Sequence, residues 1–340
     1  MTTPVLVGKG ILREGSIGYN ACPDILTPRR LVDLCGMAEK AGFEAIWVSD
    51  HFHPWFDTGA YEYHTWTWMG AAMETIKVPF GTAVTAPTLR YHPAIVAQAF
   101  ATMEGLFGPR VILGVGTGEA MNEAPLGFPW PKYPERRDRL IEAVEIIKKL
   151  WEGGFVDYHG EYYHLNGANL YMKASIPIVM SALGPKMAKV VGKYGDGIIT
   201  VTKTPEYVKN VLFPAVKEGC KEAGRSFDDM IKVVELDMAH GKDYDTAIKS
   251  VRKWAATLIN EMFTTDISDP RKIEARGMEV TDEQLAEVFP IGTDEEAFIK
   301  AIEQNFNCGF QHVYVQLNTL DDEGAVELFR KKVLPYFKKR

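Results

Sequence analysis

One unit recurs along the chain: a short apolar run rich in β-branched residues, then a helical pattern. AIWVSD, at 45–50, has the length and the aromatic and β-branched content of a buried strand. Similar runs predict strands at 17–21, 78–85, 111–115, 177–182, 197–201, 233–239 and 312–317. Helices are predicted at 27–41, 66–76, 93–107, 134–151, 185–194, 205–223, 293–304 and 322–337, with helical patterns from 244 to about 263. Thr27 reads as an N-cap, with Pro28 at the first helical position. Eight strand–helix units favour an α/β fold, a (β/α)8 TIM barrel, over a two-domain doubly wound sheet. Two stretches break the rhythm. FVDYHGEYYHLNGANL, at 155–170, alternates aromatic and polar residues around Gly160 and reads as an inserted hairpin. Residues 264–292 are polar and irregular in period, as expected of a helical excursion near the site. The expected organisation is an N-terminal extension over 1–15, then one barrel domain over 16–340 with insertions near 152–174 and 255–292.

Composition narrows the function. The chain has 340 residues, 46% of them hydrophobic, enough for a large core. The formal net charge is −7, and Lys and Arg are spread along the chain. No basic block points to nucleic acid, and no basic amphipathic helix points to a membrane surface. No apolar run reaches about 18 residues, so no transmembrane helix is expected. The N-terminal stretch MTTPVLVGKGILREGSIGY lacks an apolar signal-peptide core. Cys22, Cys35, Cys220 and Cys308 form no CxxC pair and read as reduced thiols of a cytoplasmic protein.

In a barrel, chemistry sits on the loops that follow the strands. The second strand ends in Asp50, His51, Phe52, His53, Pro54 and Trp55. His51 has the residue type of a general base, or of a histidine bonded to a neighbouring strand. Trp55 can wall a pocket and donate its indole N–H, or pack in the core. The fourth strand leads into GVGTGEA, where Glu119 lies among glycines that let backbone approach a ligand; the other reading is a solvated carboxylate. GVGTGEA is not a dinucleotide fingerprint, because Met121 stands where the third glycine belongs. SALGPK, after the fifth strand, suits an anion at a helix N-terminus, or is a plain turn. Thr200, Thr202 and Lys203 follow the sixth strand, and Glu235 and Asp237 lie on the seventh. His51-x-His53 needs further ligands for a metal site. The late candidates are His240 and His312, and His312 opens a strand instead of closing one, so no metal is expected.

Together SDHFHPW, GTAVTAPTLRYHPAIVAQAFATME, GVGTGEAMNE and YGDGIITV resemble the luciferase-like barrel superfamily. More narrowly they are similar to its dehydrogenases that use coenzyme F420 (8-hydroxy-5-deazaflavin). The resemblance implies a (β/α)8 barrel with insertions, a homodimer, and a deazaflavin at the carboxyl ends of the strands. It implies His51, Trp55 and Glu119 as the catalytic constellation. Asp50, Ala83, Val84, Thr85 and Asn122 would position the ring, and Ser181, Ala182 and Gly184 the phosphate-bearing tail. It also places a non-prolyl cis peptide at Ala83–Val84. Family members often carry a glutamate at the end of the first strand; this chain has Asp24 there, on the edge of the substrate pocket.

A deazaflavin has carbon at position 5 and accepts a hydride, so the protein must orient it and manage protons. The expected reaction oxidises a small secondary alcohol to a ketone. His51 takes the hydroxyl proton, Trp55 bonds the substrate oxygen, and Glu119 steadies the proton reaching N1. The related reading is a sugar-6-phosphate dehydrogenase, which needs cations from the later loops. WAATLINEMFTTDISDP (254–270) and EVTDEQLAEVFPIGTDEEAF (279–298) contain no Lys or Arg, leaving Lys203. Trp254, Met262 and Phe263 are expected to form an apolar substrate pocket. A flavin-dependent monooxygenase, a metal hydrolase and a non-catalytic binding protein are the remaining alternatives.

Overall fold

A computed structural model describes residues 6, 7 and 10–338. Eight parallel strands close into a barrel: β1 (Ser16–Ala21), β2 (Ile46–Val48), β3 (Phe80–Thr82), β4 (Val111–Val115), β5 (Ile178–Ser181), β6 (Gly197–Val201), β7 (Ile231–His240) and β8 (His312–Asn318). Each pairs with the next, and β8 returns to β1. The (β/α)8 expectation is met. β2 and β3 are shorter than the expected 45–50 and 78–85. The chain leaves the ladder at the cis peptide Ala83–Val84 and touches β4 again through a lone bridge from Thr85 to Val115.

The alternation of side chains along each strand separates two cores. On β2, Ile46 and Val48 pack outward with Leu34, Met69 and Phe100 from the helices. Trp47 points inward, to a smaller cluster with Leu12, Ile112, Val179, Ile231 and Tyr314. Its indole Nε1–H donates to His312 Nε2 at 2.9 Å, and His312 Nδ1 meets Ser16 Oγ at 2.7 Å. Both ring nitrogens are thus used inside the barrel, where burial pushes the imidazole pKa down to about 3. His312 is a neutral structural residue.

Glycine makes room for this filling. A Cβ on Gly81 would lie 2.5 Å from the Trp47 ring, and one on Gly114 would lie 1.8 Å from the carbonyl oxygen of Thr82. The second clash is with backbone and has no side-chain escape. Gly114→Ala is expected to cost at least the 1–3 kcal/mol typical of overpacking, about 3 kcal/mol or more, read from the midpoint of urea unfolding. A midpoint unchanged from wild type would contradict this packing.

The extension over 1–15 is more structured than expected. Leu6–Val7 pairs antiparallel with Leu12–Arg13, and Leu12 seals the barrel base; residues 1–5, 8 and 9 lie outside the described residues. The expected hairpin is present, Val156–His159 against His164–Ala168. The excursion holds helices at Pro270–Gly277 and Asp282–Val288, then an unexpected short strand, Ile291–Gly292, that adds to the end of β7. Thr27 does occupy the N-cap of Pro28–Ala41, but its side chain makes no capping bond. All four cysteines are buried and unpaired. Among the described residues no helix is long and apolar enough to cross a membrane.

Candidate active site

A cavity of about 840 Å³ opens at the carboxyl ends of the strands. β2 brings His51 and Trp55 to it, and the loop after β4 brings Glu119 and Asn122. His51 Nε2 lies 3.6 Å from Glu119 Oε2, and the imidazole ring stands 6.5 Å from the Trp55 ring at a 74° interplanar angle. The three residues expected to form the constellation therefore meet. Glu119 is held by Asn122, whose Nδ2–H donates to Oε2 at 3.2 Å; Asn122 Oδ1 accepts the Phe52 N–H at 2.7 Å. One asparagine thus ties the glutamate loop to the histidine loop.

Asp24 sits behind His51 and is 1% exposed. Its Oδ1 accepts the Trp55 backbone N–H at 3.0 Å, and its Oδ2 is 3.9 Å from His51 Nδ1. Asp24 lines the cavity, but its partners make it a support for His51 and Trp55. His53 turns away and meets the carbonyl of Ser268 at 3.0 Å, so the His-x-His pair does not converge.

The expected ring-positioning residues divide. Ala83, Val84 and Asn122 line the cavity. Thr85 does not; its hydroxyl donates to Asp50 Oδ2 at 2.6 Å. The Asp50 carboxylate is fully engaged, since Oδ1 accepts from Arg90 Nη2 at 2.9 Å and from Tyr91 OH at 3.3 Å. Asp50 can offer the cavity only what this network leaves. Ser181 and Gly184 face the cavity at the end of β5, with Lys186 beside them, whereas Ala182 is packed in the outer core. Trp254 and Phe263 form an apolar wall with Leu258 and Phe289. Met262 is buried behind that wall and does not reach the cavity.

Several groups have no clear sequence signal. Glu62 lies in no motif, and although Arg90 and Glu123 fall within TAPTLRYHP and GTGEAMNE, only burial and partners single them out. Arg136 lines the cavity while stacking on Trp130, 4.0 Å from the ring centre, a contact set by a helix that starts far from any strand end. The inner face of β7 carries Glu235 and Asp237. Glu235 accepts from Asn20 Nδ2 at 2.8 Å and from Tyr314 OH at 2.9 Å. Burial, and for Glu235 the neighbouring Asp237, push both carboxyls well above the ordinary range. Their inward direction follows from strand alternation.

The chain has relatives along its whole length. The family described as luciferase-like monooxygenase matches residues 11–312. An F420-dependent glucose-6-phosphate dehydrogenase of Mycolicibacterium fortuitum is 38% identical over 334 residues, 96% of this chain and 99% of that protein. One from Microbacterium testaceum is 36% identical, covering 95% and 97%. A solved F420-dependent secondary alcohol dehydrogenase, in complex with an F420–acetone adduct, superposes with a TM-score of 0.90 at 38% identity, covering 93% of this chain and 97% of that one. The coenzyme F420 dependent tetrahydromethanopterin reductase of Methanopyrus kandleri gives 0.80 at 26% identity, covering 95% and 99%. With its closed barrel and its match over 11–312, the chain belongs to the luciferase-like monooxygenase family.

Proposed function

We propose that this protein is a coenzyme F420-dependent dehydrogenase that oxidises a small secondary alcohol to the ketone, reversibly. The observation that carries the reading is the cluster of His51, Trp55 and Glu119 beside an apolar shelf, Ala83–Val84, in one cavity. The residues fit the cofactor. The shelf and Gly116, where a Cβ would lie 2.6 Å from Val84, leave room for a flat ring. Ser181, Gly184 and Lys186 open a helix N-terminus suited to a phosphate. When bound, the deazaflavin supplies a hydride-accepting carbon. His51 Nε2, the nitrogen facing Glu119 and the cavity, takes the hydroxyl proton. Trp55 Nε1–H holds the substrate oxygen, and Glu119 Oε2, next to the imidazole, receives the proton that His51 has taken. The Trp254–Phe263 wall excludes water from the reacting carbon.

The alcohol reading rests on that wall. From residues 254–292 the cavity receives Trp254, Thr257, Leu258, Phe263, Val288 and Phe289 and no cation. The second reading, a sugar-6-phosphate dehydrogenase, draws on Lys203 and on the names of the curated relatives. Lys203 is a poor phosphate grip, because burial lowers its pKa and it has no second cation from the excursion. We further propose a cytoplasmic homodimer, from the resemblance and the unpaired cysteines; light scattering at twice the 38.1 kDa chain mass is the expected result.

The experiment follows bleaching of oxidised F420 with isopropanol and with glucose-6-phosphate in parallel. Isopropanol is expected to be turned over and the sugar phosphate not. Turnover on the sugar phosphate alone would reverse the choice.

A further inference from the structure

Behind His51 lies a second carboxyl that the proposed chemistry does not use. Glu62 sits on the loop between β2 and the helix Thr65–Thr75. Single side-chain atoms of Asp24, His51 and Glu62 all fall within 4.8 Å of one another. Glu62 Oε2 and His51 Nδ1 are buried without hydrogen-bond partners. Two carboxyls this close and this buried cannot both remain ionised cheaply. A shared proton removes the repulsion and leaves one negative charge facing the ring.

We propose that Glu62 is a positioning residue for His51: with Asp24 it forms a carboxyl pair that shares one proton, keeps a single charge behind Nδ1 and so presents Nε2 to the cavity. This deepens the reading of His51 as the base and rests on it for its catalytic meaning. The other groups around Glu62 are Asp50 and Arg90, which pair with each other, and the neutral Tyr63 and Cys22. On the Asp24 side the further cation is Lys253, which also faces Asp322 and whose own charge burial disfavours, so it does not hold both carboxylates ionised. Burial, then the charge of Asp24, accordingly pushes Glu62 up to about 9. Glu62 is therefore neutral at pH 7 and gains its charge only in alkaline solution.

The test needs neither cofactor nor substrate, so it can fail while the dehydrogenase reading stands. Histidine labelled at Cε1 is followed by NMR, with the His51 signal identified by its loss in His51→Gln. In wild type the His51 signal should shift in alkaline solution, as Glu62 gains charge. In Glu62→Gln, which keeps a neutral donor toward Asp24, that step should vanish; Glu62→Met serves if the first variant does not fold. A wild-type signal without the step overturns the proposal, and this outcome requires no variant. An identical step in the Glu62 variants also overturns it. So does one tightly held divalent metal per chain, which would mean that the three groups serve as ligands instead.

Discussion

His51→Gln is expected to lower kcat for alcohol oxidation by about 10²–10⁴-fold, the range for loss of a positioned general base. Glutamine keeps a hydrogen-bonding end of similar length but cannot take the hydroxyl proton. The hydride then has to leave a carbon whose oxygen still holds its proton. KM and F420 binding should change little, because the apolar wall and the shelf at Ala83–Val84 are untouched. The measurement is steady-state bleaching of F420, with binding followed separately by quenching of F420 fluorescence. A loss confined to KM, or a fall in kcat of less than about tenfold, would remove His51 from the role of base. Glu119→Gln tests the neighbouring carboxyl. Its Oε2 lies 3.6 Å from Nε2, so it is placed to accept the proton that His51 must give up before the next turnover.

How much of this was legible beforehand varies with the kind of interaction. The barrel was legible because strand length and helix spacing are local properties. The helices at Pro93–Phe107 and Pro185–Tyr194 and the strands at Val111–Val115 and Gly197–Val201 have the expected bounds. β2 and β3 were overextended because Ser49–Asp50 and Ala83–Val84 continue the strand-like runs while the fold bends them away to line a cavity. Ile291–Gly292 was invisible: two residues have no period, and only the exposed end of β7 makes them a strand. In the site, strand-end position located His51, Trp55 and Glu119. It could not show that Thr85 and Asp50 are consumed by each other and by Arg90, nor that Met262 stands behind Phe263. Those distinctions depend on which face of a loop turns inward, and a loop has no alternation to read.

The largest effect on stability should come from Arg90→Met, at about 3–5 kcal/mol, the usual cost of removing one member of a buried ion pair. The Arg90 side chain is 5% exposed, and the carboxylates of Asp50 and Glu123 are 0% exposed. Arg90 Nη2–H donates to Asp50 Oδ1 at 2.9 Å and to the Asp50 carbonyl at 2.6 Å; Nη1–H donates to Glu123 Oε1 at 3.1 Å, and the Arg90 N–H to Oε2 at 2.8 Å. One guanidinium thus serves two carboxylates. Methionine keeps most of the volume and leaves both charges buried without their cation. The deficit should depend on pH with a definite sign. Burial already raises Glu123, and Arg90 opposes that rise. Without Arg90 the folded state holds its protons more tightly than the unfolded chain, so the variant regains stability as pH falls from 7 toward 5. Urea unfolding at both pH values decides it. A loss below about 1 kcal/mol, the size of an exposed pair, would show that the site is solvated. Activity should fall with stability even where the variant stays folded. Arg90 joins the residue before His51 to the residue after Asn122, and it is this clamp that holds the imidazole and the Glu119 loop within reach of each other.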